Sequence, residues 1–106
     1  MTSASHALQR LRAGNDHYVS GQPSDISMGP ERRQELAGSQ APFAVVLGCS
    51  DSRVPPEIVF GQTVGDLFVI RVAGNIATPS QLGSIEFAAE NFGTRLIVVL
   101  GHCRCG

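Results

Sequence analysis

Phe43-Ala44-Val45-Val46-Leu47 is an unbroken apolar run that ends on Gly48-Cys49, and its reading decides the fold. A run without polar alternation fits a strand covered on both faces, as in a buried parallel sheet, and not a half-exposed hairpin. Two further runs have the same character, Leu67-Phe68-Val69-Ile70 and Leu96-Ile97-Val98-Val99-Leu100. Between the second and third, Thr78-Pro79-Ser80 precedes Gln81 to Phe92, where Leu82, Ile85, Ala89 and Phe92 form an apolar stripe and Gly93 supplies the stop. That is the crossover helix of a βαβ unit. Between the first and second, Pro55-Pro56-Glu57-Ile58-Val59-Phe60 suits one or two helical turns closed by Gly61, so this connection also crosses over. The expected architecture is α/β, three-layered, with a mainly parallel sheet.

Towards the N-terminus, residues 5–19 carry Leu8, Leu11, Tyr18 and Val19 at roughly helical intervals, with Ser3 or Ser5 as N-cap. Gly21 to Gly29 is rich in Ser, Pro and Gly and is expected to be a connector. Pro30 to Leu36 then suits a short helix with Pro in its first turn. No repeat or low-complexity tract interrupts this order.

The 106 residues fit a single domain, 1–106, and 42% apolar against 16% charged residues is ordinary for a chain that buries a core. A formal net charge of -1 offers no long-range attraction to nucleic acid or to an anionic membrane, and neither is expected as a partner. All eight basic residues are Arg. Without lysine there is no amine nucleophile, no Schiff base and no P-loop lysine. No apolar stretch suits a signal sequence or a bilayer span, so a cytoplasmic location is expected. Three cysteines in such a chain favour metal binding or thiol chemistry over a disulfide framework.

Two clusters carry the chemistry: Cys49-Ser50-Asp51-Ser52-Arg53 follows the first run and His102-Cys103-Arg104-Cys105 the third. In open α/β sheets, ligands sit beyond the carboxyl ends of the strands where the winding reverses. Strand order 2-1-3 with right-handed crossovers would open a crevice there and let Cys49, His102 and Cys105 meet. Thiolate and imidazole suit a borderline-soft ion such as zinc, and three protein ligands leave the fourth position available to water. Asp51 could accept a hydrogen bond from that water or displace it and bind the metal, with Arg53 holding the carboxylate through a bidentate pair. Alone, Cys49 would read as an inert packed thiol and Asp51-x-Arg53 as a turn; the second cluster tips the balance. His6 and His17 read as solvated helix residues. Arg53 follows Cys49 too closely for a Cys-x5-Arg phosphatase loop.

Gly48-Cys49-Ser50-Asp51-Ser52-Arg53-Val54-Pro55, Gly65 to Asn75, Gly83-Ser84-Ile85-Glu86-Phe87-Ala88 and Gly101-His102-x-x-Cys105-Gly106 together resemble a β-class carbonic anhydrase. Leu11-Arg12-Ala13-Gly14-Asn15 is similar to that family's first helix. The resemblance implies one Zn2+ per chain on Cys49, His102 and Cys105. Asp51 would gate the fourth position, either as a ligand or as acceptor from the nucleophilic water, and Arg53 would orient Asp51. The implied reaction is reversible hydration of CO2 to bicarbonate and a proton, a carbonate dehydratase (lyase) activity. It further implies a homodimer or higher homo-oligomer, with the N-terminal helices packed on a partner subunit. Gln40 would reach substrate across the interface, Phe68 and Ala73 would line the pocket, and Gly106 would offer backbone.

Two departures stand out. Cys103 occupies a position that usually holds a small hydroxyl or another non-ligand residue. The sequence also stops at Gly106 where the family's domain continues, so a domain truncated at its C-terminus is expected. Two alternatives follow: a truncated, weakly active or inactive zinc-binding relative, and a thiol redox protein using Cys103 and Cys105.

Overall fold

The strand nearest the centre of the chain becomes the centre of the sheet. In the computed structural model, which describes residues 2–22 and 29–106, β1 (Ala44–Cys49) pairs in parallel with β2 (Leu67–Val72) on one side and β3 (Ile97–Leu100) on the other. The order is β2-β1-β3, as the sequence predicts. Four α-helices and one short 3-10 turn (Ala73–Asn75) complete the described chain: α1 (Ala4–Val19), α2 (Pro30–Leu36), α3 (Pro56–Val59) and α4 (Pro79–Phe92). Most of the expected connector, residues 23–28, lies outside the described residues.

Every residue of β1 is buried, which accounts for its unbroken apolar composition. The flanking strands differ from expectation. β2 is mostly half-buried, and β3 exposes Ile97 and Val99 at 50% and 62% because it is an edge strand and, among the described residues, nothing covers that side of it. The inward face of the sheet contributes Ala44, Val46 and Leu67 to a core with Phe43 and with Ala7 and Leu11 of α1. On the opposite face, Phe68 of β2 meets Phe87 and Phe92 of α4, with ring centroids 6.0 and 5.8 Å away.

α1 starts where the side chain of Ser3 accepts from the His6 N–H at 3.2 Å. Its buried stripe differs from the predicted one. Ala7 and Leu11 are buried, but Tyr18 and Val19 are exposed, because the helix presents Gly14 and Asn15 to α3 instead. A Cβ on Gly14 would overlap the Phe60 carbonyl, and Asn15 Nδ2 donates to the Val59 carbonyl at 2.9 Å. The Gly-Asn pair is thus a docking device, satisfying a carbonyl at the end of α3 while allowing backbone contact. Arg10 lies over the Phe43 ring at 3.9 Å. α1 packs on the core of its own chain.

α4 begins with Gln81 accepting from the Thr78 N–H at 3.0 Å and ends at Gly93, whose φ of 63° is the left-handed stop. Its stripe is also rotated from prediction. Ala88 is the buried residue, Ile85 and Phe92 are half-buried, and Leu82 and Ala89 face outward.

Leu11→Ala is expected to cost about 2–5 kcal/mol through the cavity it leaves in the core. Gly14→Ala is expected to destabilise as well, by separating α1 from α3. Urea unfolding of both variants checks this, and a Gly14→Ala protein as stable as the wild type would contradict the close docking.

Candidate metal centre

Cys49 is the last residue of β1, and the N–H of Ser50 extends the ladder by one bond to the Val72 carbonyl at 3.2 Å. The chain then turns so that two backbone donors converge on the Cys49 sulfur, the N–H of Asp51 at 3.4 Å and that of Gly74 at 3.3 Å. Gly74 sits in the short helical turn after β2 with φ 79°, a conformation glycine adopts without strain. These donors, with His102 assisting, lower the Cys49 thiol from 9.0 to about 6. The sulfur is therefore a thiolate at neutral pH.

β3 ends at Leu100, whose register partner is Gly48, so the loop after β3 emerges beside Cys49. His102 Nδ1 bonds the Cys103 carbonyl at 2.9 Å. A carbonyl only accepts, so Nδ1 carries a hydrogen, and in the neutral imidazole the lone pair is on Nε2. That Nε2 is buried and has no hydrogen-bond partner among the described residues. The Cys49 thiolate and the Cys103 carbonyl raise the His102 pKa. Arg104 then takes φ 58°, unusual for a residue with a Cβ, and the chain doubles back. Cys105 Sγ comes to rest 3.9 Å from Cys49 Sγ. Facing a thiolate, the Cys105 thiol is held above its ordinary pKa.

The donor atoms of Cys49, His102 and Cys105 all lie within 4.8 Å of one another. Metal–sulfur bonds of about 2.3 Å in a tetrahedron put two sulfurs about 3.8 Å apart, close to the separation found. The orphaned Nε2, with its tautomer fixed by Nδ1, is the state a metal-binding histidine requires. The trio can hold a metal ion. Cys103 is exposed and stands outside it.

Asp51 borders this group. Arg53 donates to both carboxylate oxygens, Nε to Oδ1 at 2.9 Å and Nη2 to Oδ2 at 2.6 Å, and its backbone N–H adds a bond to Oδ1 at 2.9 Å. The guanidinium holds the Asp51 carboxyl well below the usual carboxylate range, and Arg53 is stabilised as a cation in return. Asp51 Oδ2 lies 3.9 Å from His102 Nε2, at the rim of the metal-binding group. Arg53 Nη2 also reaches the Arg104 carbonyl at 3.3 Å, tying the two loops together.

The carbonic anhydrase family model matches residues 44–106, which hold all of these groups. This chain belongs to the β-class carbonic anhydrase family. It is 51% identical over 100 residues to a carbonic anhydrase of Mycolicibacterium smegmatis, covering 94% of this chain and 48% of that protein. It is 47% identical over 100 residues to carbonic anhydrase 2 of Mycobacterium tuberculosis, with the same coverage of 94% and 48%. A tetrameric β-carbonic anhydrase of Sordaria macrospora superposes with a TM-score of 0.68 at 33% identity, over 96% of this chain and 50% of that one. The chain spans about half the length of these relatives.

Within the carbonic anhydrase framework, the remaining expected site residues fall in different places. Ala73 opens the turn that supplies the Gly74 donor, and Gly106 follows Cys105; both are exposed beside the metal-binding group. Gln40 precedes β1 and lines an open cavity of about 410 Å³ with Leu36, Ala37, Gly38, Ser39 and Gly65. That cavity lies at the amino end of the strands, roughly a strand length, about 17 Å, from Cys49. Phe68, near the start of β2, packs on α4. Neither meets the metal-binding group of its own chain. His6 and His17 are exposed on α1, as expected.

Sequence reading missed Gly74, whose role depends on an N–H direction, and Arg71, whose guanidinium bonds the Cys49 and Asp51 carbonyls. Both stand in the quoted Gly65–Asn75 segment, the only signal available.

Arg53→Ala is expected to raise the Asp51 pKa towards the ordinary carboxylate value of about 3.9, since the cation and two donors are lost. Arg53→Lys, keeping charge but not the fork, is expected to move it less. A carboxyl-carbon NMR titration reads both; an unchanged Asp51 in Arg53→Ala would contradict the pairing.

Proposed function

We propose that this chain carries the zinc centre of an enzyme that hydrates CO2 reversibly to bicarbonate and a proton. The observation that carries the reading is the convergence of Cys49, His102 and Cys105 beside an Asp51 already engaged by Arg53. One Zn2+ per chain would be held by the two sulfurs and His102 Nε2. Bound there, it supplies Lewis acidity that makes water a nucleophile at neutral pH.

The chain's own residues set the rest. His102 donates to Cys103 through Nδ1, which keeps Nε2 aimed inward. Asp51 is ionised throughout the physiological range, so it acts only as an acceptor and orients a donor placed at the open corner. Arg53 prevents it from turning freely towards the metal, and release of that pair would let it close the fourth position. Ala73 and Gly106 border the corner where CO2 would lie. We assign Gln40 and Phe68 to substrate binding in the partner's site of a homodimer or larger homo-oligomer, since neither reaches the site of its own chain. The tetrameric Sordaria relative supports such an assembly, with the exposed side of the N-terminal helices against the partner. Among the described residues no helix is long and apolar enough to cross a membrane. We place the protein in the cytoplasm, where its three free cysteines stay reduced.

One second reading has an observation behind it. The trio alone can hold a metal ion, and that is all a zinc-binding module without turnover requires.

Two measurements separate these readings. Metal analysis of the reduced, zinc-loaded chain is expected to give one zinc, lost in Cys49→Ser and His102→Ala, and stopped-flow CO2 hydration is expected to exceed the buffer rate. Zinc without rate selects the module, and absence of zinc from the wild type removes both. Proton release gives an independent check. Near pH 7 Cys49 is already ionised while Cys105, whose pKa is raised, keeps its proton, so zinc must expel that proton. As pH falls His102, whose pKa is also raised, adds a second. Zinc affinity is therefore expected to weaken as pH falls, with release growing beyond one proton, read by calorimetry in buffers of different ionisation enthalpy.

A further inference from the structure

Arg71 is the penultimate residue of β2, and its register partner Gly48 is the penultimate residue of β1. From that position its guanidinium crosses the end of the β1 ladder. Nε donates to the Cys49 carbonyl at 2.8 Å, and Nη2 donates to the Asp51 carbonyl at 2.6 Å. One rigid planar group therefore spans the backbone on both sides of Ser50. These are carbonyls of the segment that leaves the sheet, and a charged donor makes the stronger kind of bond to each. Arg71 has no carboxylate partner among its described contacts; its fork is committed to the loop.

The segment so held contains both the thiolate ligand and the N–H of Asp51 that donates to it. The second donor to that sulfur, Gly74, lies three residues beyond Arg71, on the same stretch leaving β2. A shift of the 49–51 backbone away from β2 would lengthen the Gly74 N–H···S contact and move Cys49 relative to Cys105. Arg53 cannot prevent this, because its bonds run to the Asp51 side chain and to Arg104. Among the described residues Arg71 is the side chain that ties this loop's backbone to β2, alongside the Ser50 N–H bond to the Val72 carbonyl.

We propose that Arg71 is a positioning residue of the metal centre, clamping the 49–51 backbone so that Cys49 presents its sulfur at the separation a metal ion needs. This rests on the reading of Cys49, His102 and Cys105 as metal ligands and adds a residue that touches neither metal nor substrate. Lysine at this position would keep the charge but lose the planar fork that reaches two carbonyls at once.

The test uses the whole chain with zinc and cobalt as probes, in wild type, Arg71→Met, Arg71→Lys and, as a surface control, Arg12→Met. Zinc affinity is measured by competition with a chromophoric chelator, ligand geometry by the sulfur-to-cobalt absorption band, and the metal-free fold by circular dichroism and thermal unfolding. Arg71→Met is expected to bind zinc about 10–100-fold more weakly, as when other supporting partners of metal ligands are lost. Its cobalt band should shift or weaken while the metal-free fold is retained. Arg71→Lys is expected to recover part of the affinity, and Arg12→Met to match wild type. Wild-type zinc affinity and an unchanged cobalt spectrum in a folded Arg71→Met overturn the proposal. Should the methionine variant not fold, a folded Arg71→Lys indistinguishable from wild type in both readouts overturns it equally. Failure of the wild type to bind either metal removes the metal-site reading itself, and with it the role of Arg71.

Discussion

The parallel pairing of β3 against β1 is the interaction on which the rest depends. Its register, from Val45 opposite Ile97 to Gly48 opposite Leu100, makes both strands end at the same edge of the sheet. Parallel strands run their carboxyl ends together, so the loops holding Cys49 and His102 emerge as neighbours although distant in sequence. An antiparallel β3 would send the second cluster to the far end of the sheet, beyond the reach of any side chain. The helices serve this arrangement. α4 returns the chain so that β3 can run parallel, and α1 packs its buried residues against the inward face of the sheet.

Charge explains how the edge is organised. Two thiols 3.9 Å apart do not readily ionise together, and their pKa values are driven apart, Cys49 down and Cys105 up. The backbone decides which one ionises, because two N–H groups point at Cys49. A divalent cation held by these residues would remove the conflict by letting both sulfurs ionise, and the lone pair of neutral His102 would complete the set. Around this centre the arginines act on geometry: Arg53 pins the Asp51 carboxylate and joins the two loops, and Arg71 fixes the backbone that carries Cys49.

Burial was legible only in part. The unbroken run at Phe43–Leu47 correctly implied a strand enclosed on both faces, since only a central strand tolerates that composition throughout. The same reasoning applied to Leu96–Leu100 fails on one face, where Ile97 and Val99 stand exposed. Composition reports what a strand is suited to be packed against, and the described residues supply a cover on one side only. The helix stripes show a related limit. Apolar spacing in α1 correctly included the buried Leu11 but also pointed to Tyr18 and Val19, where the packed face instead continues through Gly14 and Asn15, whose value lies in close approach and a hydrogen bond and not in apolar area.

By itself the sequence determined the element order, the α/β class and the trio of possible ligands, and it pointed to the 2-1-3 arrangement that would bring those ligands together. Apolar runs, turn residues and metal-binding side chains announce themselves locally. Only the tertiary structure decided that Cys49 is the thiolate of the pair, that Asp51 is bound to Arg53, that Arg71 holds the loop backbone, and that Gln40 and Phe68 lie away from the ligands of their own chain. Each of these depends on the direction of an N–H, a carbonyl or a guanidinium across strands far apart in sequence, and direction is fixed only once the strands have paired.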